Sequence, residues 1–245
     1  MIKKAVILAG GKGKRIANPD IPKSMIRING KPVLENIFSI LNKCGIEEAF
    51  LIVHYLKEQI INYFGSEFLG IKITYLDDGE ILNLKGPVGI ADVLSVMEER
   101  INESFLMILG DEVYYGTDHV NLLKSFSDEY EAMIGVMIVN DEKLIKKNYT
   151  LRINDSFEVI DLEEKPEVPW NNLLGCGTYI FKPSVFKHIR NTPVSEKSGK
   201  KEITDTLRVI AKSGILKAYD LGGKYLNINY KEDVKKAEEI FLNSD

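Results

Sequence analysis

Short apolar runs alternate with amphipathic segments through the first half of the chain, and this alternation limits the fold more than any other feature. The apolar runs predict buried strands at Ala5–Ala9, Ala49–His54, Ile71–Leu76, Phe105–Leu109 and Ala132–Val139. The segments between them have helical spacing and predict helices at Pro32–Cys44, Leu56–Phe64, Gly89–Arg100 and His119–Phe126. Strands that alternate with helices are typical of α/β proteins with a mostly parallel sheet. We therefore expect an α/β fold.

The second half of the chain predicts a different pattern, with more strands in succession. A hairpin is expected from Tyr149–Ile153 and Phe157–Glu163, followed by a strand at Leu173–Lys182. Helices are expected at Lys201–Ser213 and Tyr230–Leu242. No linker or internal repeat divides the 245 residues, a length that one hydrophobic core still supports. We expect a single domain over residues 1–245.

Composition excludes several classes of function. The net charge of −4 gives no general surface for nucleic acid or an anionic membrane, so we expect neither partner. No apolar stretch approaches the ~20 residues of a membrane span, and the N-terminal apolar run is too short for a signal peptide. The two cysteines, Cys44 and Cys176, form no disulfide framework and no metal-binding spacing. A cytoplasmic location is expected.

A glycine-rich, basic loop follows the first predicted strand, with the sequence LAGGKGKR from Leu8 to Arg15. Glycines let backbone N–H groups approach a phosphate closely, and Arg15 and Lys23 add positive charge. Neither the P-loop nor the dinucleotide fingerprint is matched. The loop therefore indicates a triphosphate site or, alternatively, a tight turn with solvated lysines.

Two acidic residues end the strand Phe105–Leu109, after Gly110. Ligands of open α/β sheets gather beyond the carboxyl ends of the strands, and Mg²⁺ prefers hard oxygen ligands. Asp111 is therefore a candidate magnesium ligand. An ordinary turn after the strand is an equally good interpretation of these residues alone.

Several motifs together resemble those of the sugar-phosphate nucleotidyltransferases, the family that includes glucose-1-phosphate thymidylyltransferases. GGKGKR is followed by PKSM, and LGDEVYYG and EKP come later in the family's order. The resemblance covers essentially the whole chain and implies a Rossmann-like nucleotidyltransferase fold with a mixed, mostly parallel central sheet flanked by helices. It also implies a nucleotide-binding half at about 1–130 and a sugar-phosphate-binding half at about 131–245.

The resemblance implies functions for individual residues. The residues that would bind the nucleotide are Leu8, Ala9, Gly10, Gly11, Gly13, Gly89 and Asp111. The catalytic residues would be Arg15, Lys23, Asp111 and Lys165. The sugar phosphate would contact Glu164, Lys165 and Gly175. Mg²⁺ would be held by Asp111 and by Asn227, where relatives carry aspartate, with Asn229 as the nearest alternative.

Two departures from the family pattern leave the substrates open. Leu84 corresponds to the base-reading glutamine of thymidylyltransferases, and leucine cannot hydrogen-bond a base. Tyr149 stands where relatives carry a glycine beside the sugar, and its larger side chain is expected to crowd the wall of the sugar pocket. The nucleobase and the phosphorylated partner therefore stay undetermined.

The hypothesis from sequence is an Mg²⁺-dependent nucleotidyltransferase that joins a nucleoside triphosphate to a sugar 1-phosphate, giving a nucleoside-diphosphate sugar and pyrophosphate. Three alternatives remain. They are a non-catalytic nucleotide- or sugar-nucleotide-sensing subunit of the same fold, a cytidylyltransferase for a phosphorylated alcohol, and, with less support, a glycosyltransferase. Assembly into a homo-oligomer is left open.

Overall fold

The computed structural model describes residues 2–13, 20–79, 88–212 and 216–242. Within these ranges the strands are β1 Lys4–Leu8, β2 Arg27–Ile28, β3 Lys31–Pro32, β4 Glu48–Val53, β5 Glu67–Phe68, β6 Ile71–Asp77, β7 Phe105–Leu109, β8 Glu112–Tyr115, β9 Ala132–Ile138, β10 Tyr149–Ile153, β11 Val159–Glu164, β12 Leu173–Phe181, β13 Leu216–Asp220 and β14 Lys224–Asn227. The α-helices are α1 Val33–Lys43, α2 Lys57–Phe64, α3 Ile90–Leu94, α4 His119–Ser125, α5 Glu142–Ile145, α6 Val185–Asn191, α7 Ile203–Ala211 and α8 Lys231–Leu242.

The contacts of the chain group into two compact units that interleave along the sequence. The first unit contains residues 1–78, 107–123 and 222–245, and the second contains residues 79–106 and 124–221. The single domain over residues 1–245, with a nucleotide-binding half at about 1–130 and a sugar-phosphate-binding half at about 131–245, stays a prediction.

The sheet of the first unit is parallel where the glycine-rich loop leaves it. β1 pairs with β4 and β4 pairs with β6, both in parallel register, while the short β5 adds an antiparallel edge. The apolar sequences KAVIL and EAFLIV suit strands covered on both faces, and their central residues are fully buried. Parallel pairing brings the carboxyl ends of β1, β4 and β6 to one edge of this sheet.

Helix α1 shows how local sequence sets an element's bounds. Its buried residues Val33, Leu34, Ile37, Phe38 and Leu41 recur with helical spacing and form one apolar face. The helix ends at Lys43, and Gly45 takes a φ of 71° with its N–H bonded to the Asn42 carbonyl, 3.0 Å away. Only glycine adopts this conformation without strain, as the sequence predicts for the end of this helix.

The second unit is built on β9, which pairs antiparallel with β12 and parallel with β13. β10 pairs antiparallel with both β11 and β12, and β10 and β11 form the hairpin predicted from sequence. The central sheet is mixed, mostly parallel and flanked by helices, so the predicted Rossmann-like α/β class is confirmed. In the described part of the chain, no helix combines the length and apolar character that crossing a membrane requires.

The elements that were not predicted from sequence are the helices α5 and α6 and the strands β2, β3, β5, β8, β13 and β14. Among the described residues, β8 and β14 pair only with each other, as an antiparallel ribbon with four residues in each strand. Four-residue strands that carry polar residues on one face give little periodicity to detect. This ribbon carries two of the residues of the candidate site.

His119 yields a prediction for stability against pH. The ring is 2% exposed, contacts the Tyr114 ring edge-on at 4.8 Å between centroids, and lies 3.0 Å from Thr117 Oγ1 through its Nδ1 atom. Burial lowers the pKa of His119 to about 4, so the unfolded chain binds a proton at higher pH than the folded chain does. His119 therefore has no effect on the pH dependence of the free energy of unfolding above pH ~6.5. As the pH falls from there toward 4, His119 lowers this free energy by up to about 3 kcal/mol.

Denaturant unfolding at pH 7.5 and pH 5, with His119→Phe beside the natural chain, measures this effect. The natural chain should lose more stability between the two pH values than the variant does. An equal loss in both chains would show that the buried imidazole is not the cause.

Candidate active site

The glycine-rich loop packs against Lys23 on one side. Residues 14–19, and with them Arg15, lie outside the described residues. The Lys23 N–H donates to the Gly11 carbonyl at 3.3 Å. Gly13 has a φ of 61°, and a Cβ atom there would lie 3.3 Å from Lys23 Cβ. The two glycines thus hold the backbone of the loop close to the lysine stem.

Leu8 and Ala9 fix the start of this loop to the sheet. The Ala9 N–H donates to the Ile52 carbonyl at 2.8 Å, and the Leu8 carbonyl accepts from Gly110 N at 2.9 Å. Gly110 comes directly before Asp111, so the same contact places the glycine-rich loop beside the end of β7. Both residues therefore anchor the loop through their backbone.

The ammonium group of Lys23 lies among oxygen atoms of three residues from two other segments of the chain. Its Nζ atom forms a short ion pair with Asp111 Oδ2, donates to Asn229 Oδ1 at 3.0 Å, and lies 3.5 Å from Asn227 Oδ1. The side chains of Lys23 and Asp111 are only 13% and 25% exposed, so water screens their attraction weakly. The structure thus brings the predicted residues Lys23, Asp111 and Asn227 together.

Glu112, on the neighbouring strand of the ribbon, fixes the orientation of the Asn227 side chain. The two residues are direct partners in the β8–β14 register, and Asn227 Nδ2 donates to Glu112 Oε1 at 3.4 Å. The Glu112 carboxylate is 1% exposed and also accepts from the hydroxyl groups of Tyr114 and Tyr225. Because a carboxylate only accepts hydrogen bonds, the amide nitrogen of Asn227 faces Glu112 and its oxygen faces Lys23.

The segment after β14 is held by Asp233, which is 2% exposed. Its Oδ2 atom accepts from the backbone N–H groups of Asn229 and Tyr230, at 2.9 and 2.8 Å. A carboxylate that accepts hydrogen bonds from the N–H groups at the start of a helix stabilises that end of the helix. Asp233 does so for the start of α8. Asn229 is therefore fixed by its backbone, and its Oδ1 atom points to Lys23.

These oxygen atoms fit a magnesium ion by their chemistry. Asp111 offers a carboxylate, and Asn227 and Asn229 offer amide oxygens whose direction is fixed by Glu112 and by the chain after β14. Magnesium takes such oxygens together with water and substrate phosphates. The ammonium group of Lys23 shows that a cation is already stabilised at this point. The predicted ligands Asp111 and Asn227 thus lie in one cluster of oxygen atoms around the Lys23 ammonium group, in which Asn229 also takes part, and their binding of Mg²⁺ stays a prediction.

In the second unit, β11 ends at Glu164, which pairs with Lys165 at 2.9 Å. Burial raises the pKa of Glu164, and the neighbouring Lys165 charge opposes that rise. Lys165 has a φ of 44°, which is uncommon for a residue with a side chain, and its side chain is 61% exposed. The predicted contact of Glu164 and Lys165 with the sugar phosphate stays a prediction.

Gly175 lies under the ring of Tyr149. A Cβ atom at Gly175 would lie 1.8 Å from Tyr149 Cε2, and the Tyr149 hydroxyl donates to the Cys176 carbonyl at 3.1 Å. The tyrosine is 3% exposed, so its ring fills the space over the glycine. The predicted crowding of the sugar pocket by Tyr149 and the predicted contact of Gly175 with substrate stay predictions.

Gly89 has a structural reason to be glycine. A Cβ atom there would lie 1.9 Å from the Lys201 carbonyl oxygen. The carboxylate of Asp92 accepts from the N–H groups of Gly89 and Lys201, at 3.1 and 3.4 Å, and joins the starts of α3 and α7. The close approach of two backbones explains the glycine, and its predicted nucleotide contact stays a prediction.

Sequence reasoning missed a second group of polar residues next to the loop. His54 follows β4, Asp77 is the last residue of β6, and Asp78 comes directly after it. The atoms of these three side chains that could bind a metal ion lie within 4.8 Å of one another. A Cβ atom at Gly10 would lie 3.0 Å from Asp78 Oδ2. The signal was available, because Asp77-Asp78-Gly79 follows an apolar run as Asp111 does.

Comparison with known proteins identifies the family. The family model for nucleotidyl transferases matches residues 4–234, so the chain belongs to that family. The resemblance to sugar-phosphate nucleotidyltransferases drawn from the sequence is thereby confirmed, and the chain is a member of this enzyme family.

Individual relatives differ in their substrates. The chain is 32% identical to the UTP–glucose-1-phosphate uridylyltransferase of Haloferax volcanii, over 96% of this chain and 95% of the relative. It is 35% identical to the D-glycero-alpha-D-manno-heptose 1-phosphate guanylyltransferase of Campylobacter jejuni, over 75% and 77% of the two chains. The fold matches UDP-glucose pyrophosphorylase complexed with UDP-glucose at a TM-score of 0.86 and 24% identity, with both chains fully covered.

The Glu112 contact predicts an effect on cation affinity. Glu112→Gln gives the buried side chain an amide that can donate as well as accept, so the Asn227 amide is no longer held in one orientation. Loss of such an orienting contact typically weakens metal affinity about 10-fold or more. Titration with Mn²⁺, followed by the paramagnetic signal of the free ion, measures the change without turnover. Unchanged Mn²⁺ affinity in a folded variant would contradict the orienting function of Glu112.

The Gly175–Tyr149 contact predicts a steric effect on stability. Gly175→Ala should destabilise the natural chain by about 1–3 kcal/mol, because the added methyl group overlaps the buried ring. In a Tyr149→Gly background the same substitution should cost much less, since the ring is gone. Denaturant unfolding of the four chains gives the coupling between the two positions. Additive effects would mean that the ring moves aside at no cost.

Proposed function

We propose that the protein is a nucleotidyltransferase that condenses a nucleoside triphosphate with a sugar 1-phosphate, giving a nucleoside-diphosphate sugar and pyrophosphate in a reaction that requires Mg²⁺. The observation that carries the proposal is the placement of Lys23 between the glycine-rich loop and the oxygen atoms of Asp111, Asn227 and Asn229. One cationic side chain thus adjoins both the glycine-rich loop and the oxygen atoms that we propose as ligands of Mg²⁺. Family membership supports the reaction class.

The reaction needs no covalent intermediate with the protein. An oxygen of the sugar phosphate attacks the α-phosphorus of the triphosphate, a new P–O bond forms, and the bond to the pyrophosphate leaving group breaks. Charge collects on the α-phosphate and on the departing pyrophosphate. The protein therefore accelerates the reaction by positioning the two phosphates and by stabilising their charge.

The residues divide this work between them. The N–H groups of Gly10, Gly11 and Gly13 bind the triphosphate, and Lys23 and Arg15 stabilise its charge. Asp111 and Asn227 would hold Mg²⁺, with Asn229 adjacent, and the bound ion would neutralise phosphate charge. Glu164 and Lys165 bind the sugar phosphate, where Lys165 balances the charge of the attacking group. A cytoplasmic location belongs to the proposal, because nucleoside triphosphates are substrates.

A phosphorylated alcohol is the second acceptor that an observation favours. The ring of Tyr149 covers Gly175 and closes the space above it. This closed wall favours an acceptor other than glucose 1-phosphate. The sensing subunit stays the non-catalytic alternative, and the retention of Lys23, Asp111 and Lys165 weighs against it.

Pyrophosphate release tests the proposal. The chain is incubated with Mg²⁺ and each of dTTP, UTP, CTP, GTP and ATP, crossed with sugar 1-phosphates and phosphorylated alcohols. Release that depends on one pair establishes the reaction and both substrates. Binding of a nucleotide without release for any pair would favour the sensing subunit instead.

Two substitutions connect the activity to the site. Lys23→Ala and Asp111→Asn should each lower turnover by roughly 100-fold or more, as removal of a preorganised contact to the transition state does. Lys31→Ala is the control for Lys23, because Lys31 has a 75% exposed side chain and pairs only with Glu35 at 3.1 Å among the described contacts. Near-unchanged turnover in the folded site variants would remove both residues from the mechanism.

A further inference from the structure

Asp78 is a buried carboxylate with an unsatisfied oxygen. Asp78 is 8% exposed, and among the described residues no donor forms a hydrogen bond with its Oδ1 atom. The nearest candidate, His54 Nδ1, lies 3.6 Å away, beyond hydrogen-bonding distance. Buried polar groups are nearly always hydrogen-bonded, and each exception calls for an explanation. A ligand that donates to Oδ1 would provide one.

The neighbouring Asp77 does not share this property. Its Oδ1 atom lies 3.1 Å from His54 Nδ1, and its Oδ2 atom accepts from Lys57 Nζ at 2.6 Å. The hydrogen bond to Asp77 raises the pKa of Lys57. His54 Nδ1 and Lys57 Nζ therefore form their hydrogen bonds with Asp77, and Asp78 Oδ1 accepts a hydrogen bond from neither of them.

The glycine-rich loop has different neighbours on its two sides. Gly11 and Gly13 face the Lys23 side chain, where Cβ atoms would lie 3.9 and 3.3 Å from it. Gly10 faces Asp78 and His54, because a Cβ atom at Gly10 would lie 3.0 Å from Asp78 Oδ2 and 3.4 Å from His54 Cβ. A triphosphate is repelled by a carboxylate and attracted by an ammonium, so its phosphates belong on the Lys23 side. The nucleoside end then extends toward Asp78.

We propose that Asp78 selects the nucleobase, by accepting a hydrogen bond from the exocyclic amino group of cytosine, guanine or adenine. A carboxylate only accepts hydrogen bonds, and aspartate is a known acceptor for the cytosine amino group in base recognition. Guanine offers an adjacent ring N–H as a second donor. Uracil and thymine present a carbonyl oxygen where cytosine carries its amino group, and that oxygen repels the carboxylate.

This inference rests on the proposed function for the presence of a nucleotide, and it extends that function to the choice of base. The relatives do not fix the base, because one is named for uridylyl transfer and another for guanylyl transfer. Leu84, the position equivalent to the base-reading glutamine, lies outside the described residues. Asp78 is thus a recognition group that the family resemblance did not indicate.

Equilibrium binding of matched nucleotide pairs to the full chain tests the proposal without turnover. CTP and UTP differ at the amino position and the adjacent ring nitrogen, while GTP and ITP differ only by the 2-amino group. The natural chain should bind CTP more tightly than UTP, and GTP more tightly than ITP, by about 10-fold or more, the scale of one hydrogen bond to a charged group. Equal or reversed affinities in both pairs would overturn the assignment.

Asp78→Asn and Asp77→Asn form a matched pair of variants. Asparagine at residue 78 offers both a donor and an acceptor, so the CTP preference should fall at least 10-fold and UTP binding should strengthen. Asp77→Asn should leave the order of the nucleotides unchanged, because Asp77 is engaged by His54 and Lys57. A preference that persists in the Asp78 variant would overturn the proposal.

The results separate this inference from the proposed function. Amino-base preference that depends on Asp78, with no pyrophosphate release for any substrate pair, would contradict the function and support the base assignment. UTP-dependent release that Asp78→Asn does not alter would support the function and overturn the base assignment. Tight binding of Mn²⁺ or Zn²⁺ that requires His54 and Asp78, without nucleotide, would show a metal site there and would also overturn it.

Discussion

The ion pair between Lys23 and Asp111 is the interaction around which the candidate site is arranged. Both side chains are mostly buried, and Lys23 also reaches the amide oxygens of Asn227 and Asn229. A buried charge is costly unless it is paired and hydrogen-bonded, so the segments that supply these partners must hold their positions. The β8–β14 ribbon and the segment capped by Asp233 hold them. The requirement for charge compensation therefore explains why three distant parts of the sequence meet here.

The sequence predicts the elements of this fold well where their periodicity is strong. The parallel strands β1, β4 and β6 and the helix α1 lie within one or two residues of their predicted bounds, because continuous apolar runs define the strands and a glycine follows the helix. The ribbon of β8 and β14 was missed, since each strand has only four residues and pairs far along the chain. Pairing between distant short strands leaves no local pattern to detect.

The candidate site was predicted in part by its motifs. Lys23, Asp111 and Asn227 were named from the sequence and lie together, but what orients Asn227 could not be inferred from spacing. In the sequence Glu112 is only the second of the two acids after the strand Phe105–Leu109, and its buried contacts with Tyr114 and Tyr225 depend on three-dimensional packing. Asp78 was missed even though it follows a predicted strand, because no sequence motif includes it.

The cross-strand contact between Glu112 and Asn227 has a consequence for how this site changes during evolution. A carboxylate at residue 227 would face the buried Glu112 carboxylate directly, and two like charges at that distance destabilise each other. Exchange of the amide for an acid at one position therefore requires the opposite exchange at the other. Among homologues the two positions should covary as a pair, with one acid and one amide in either order.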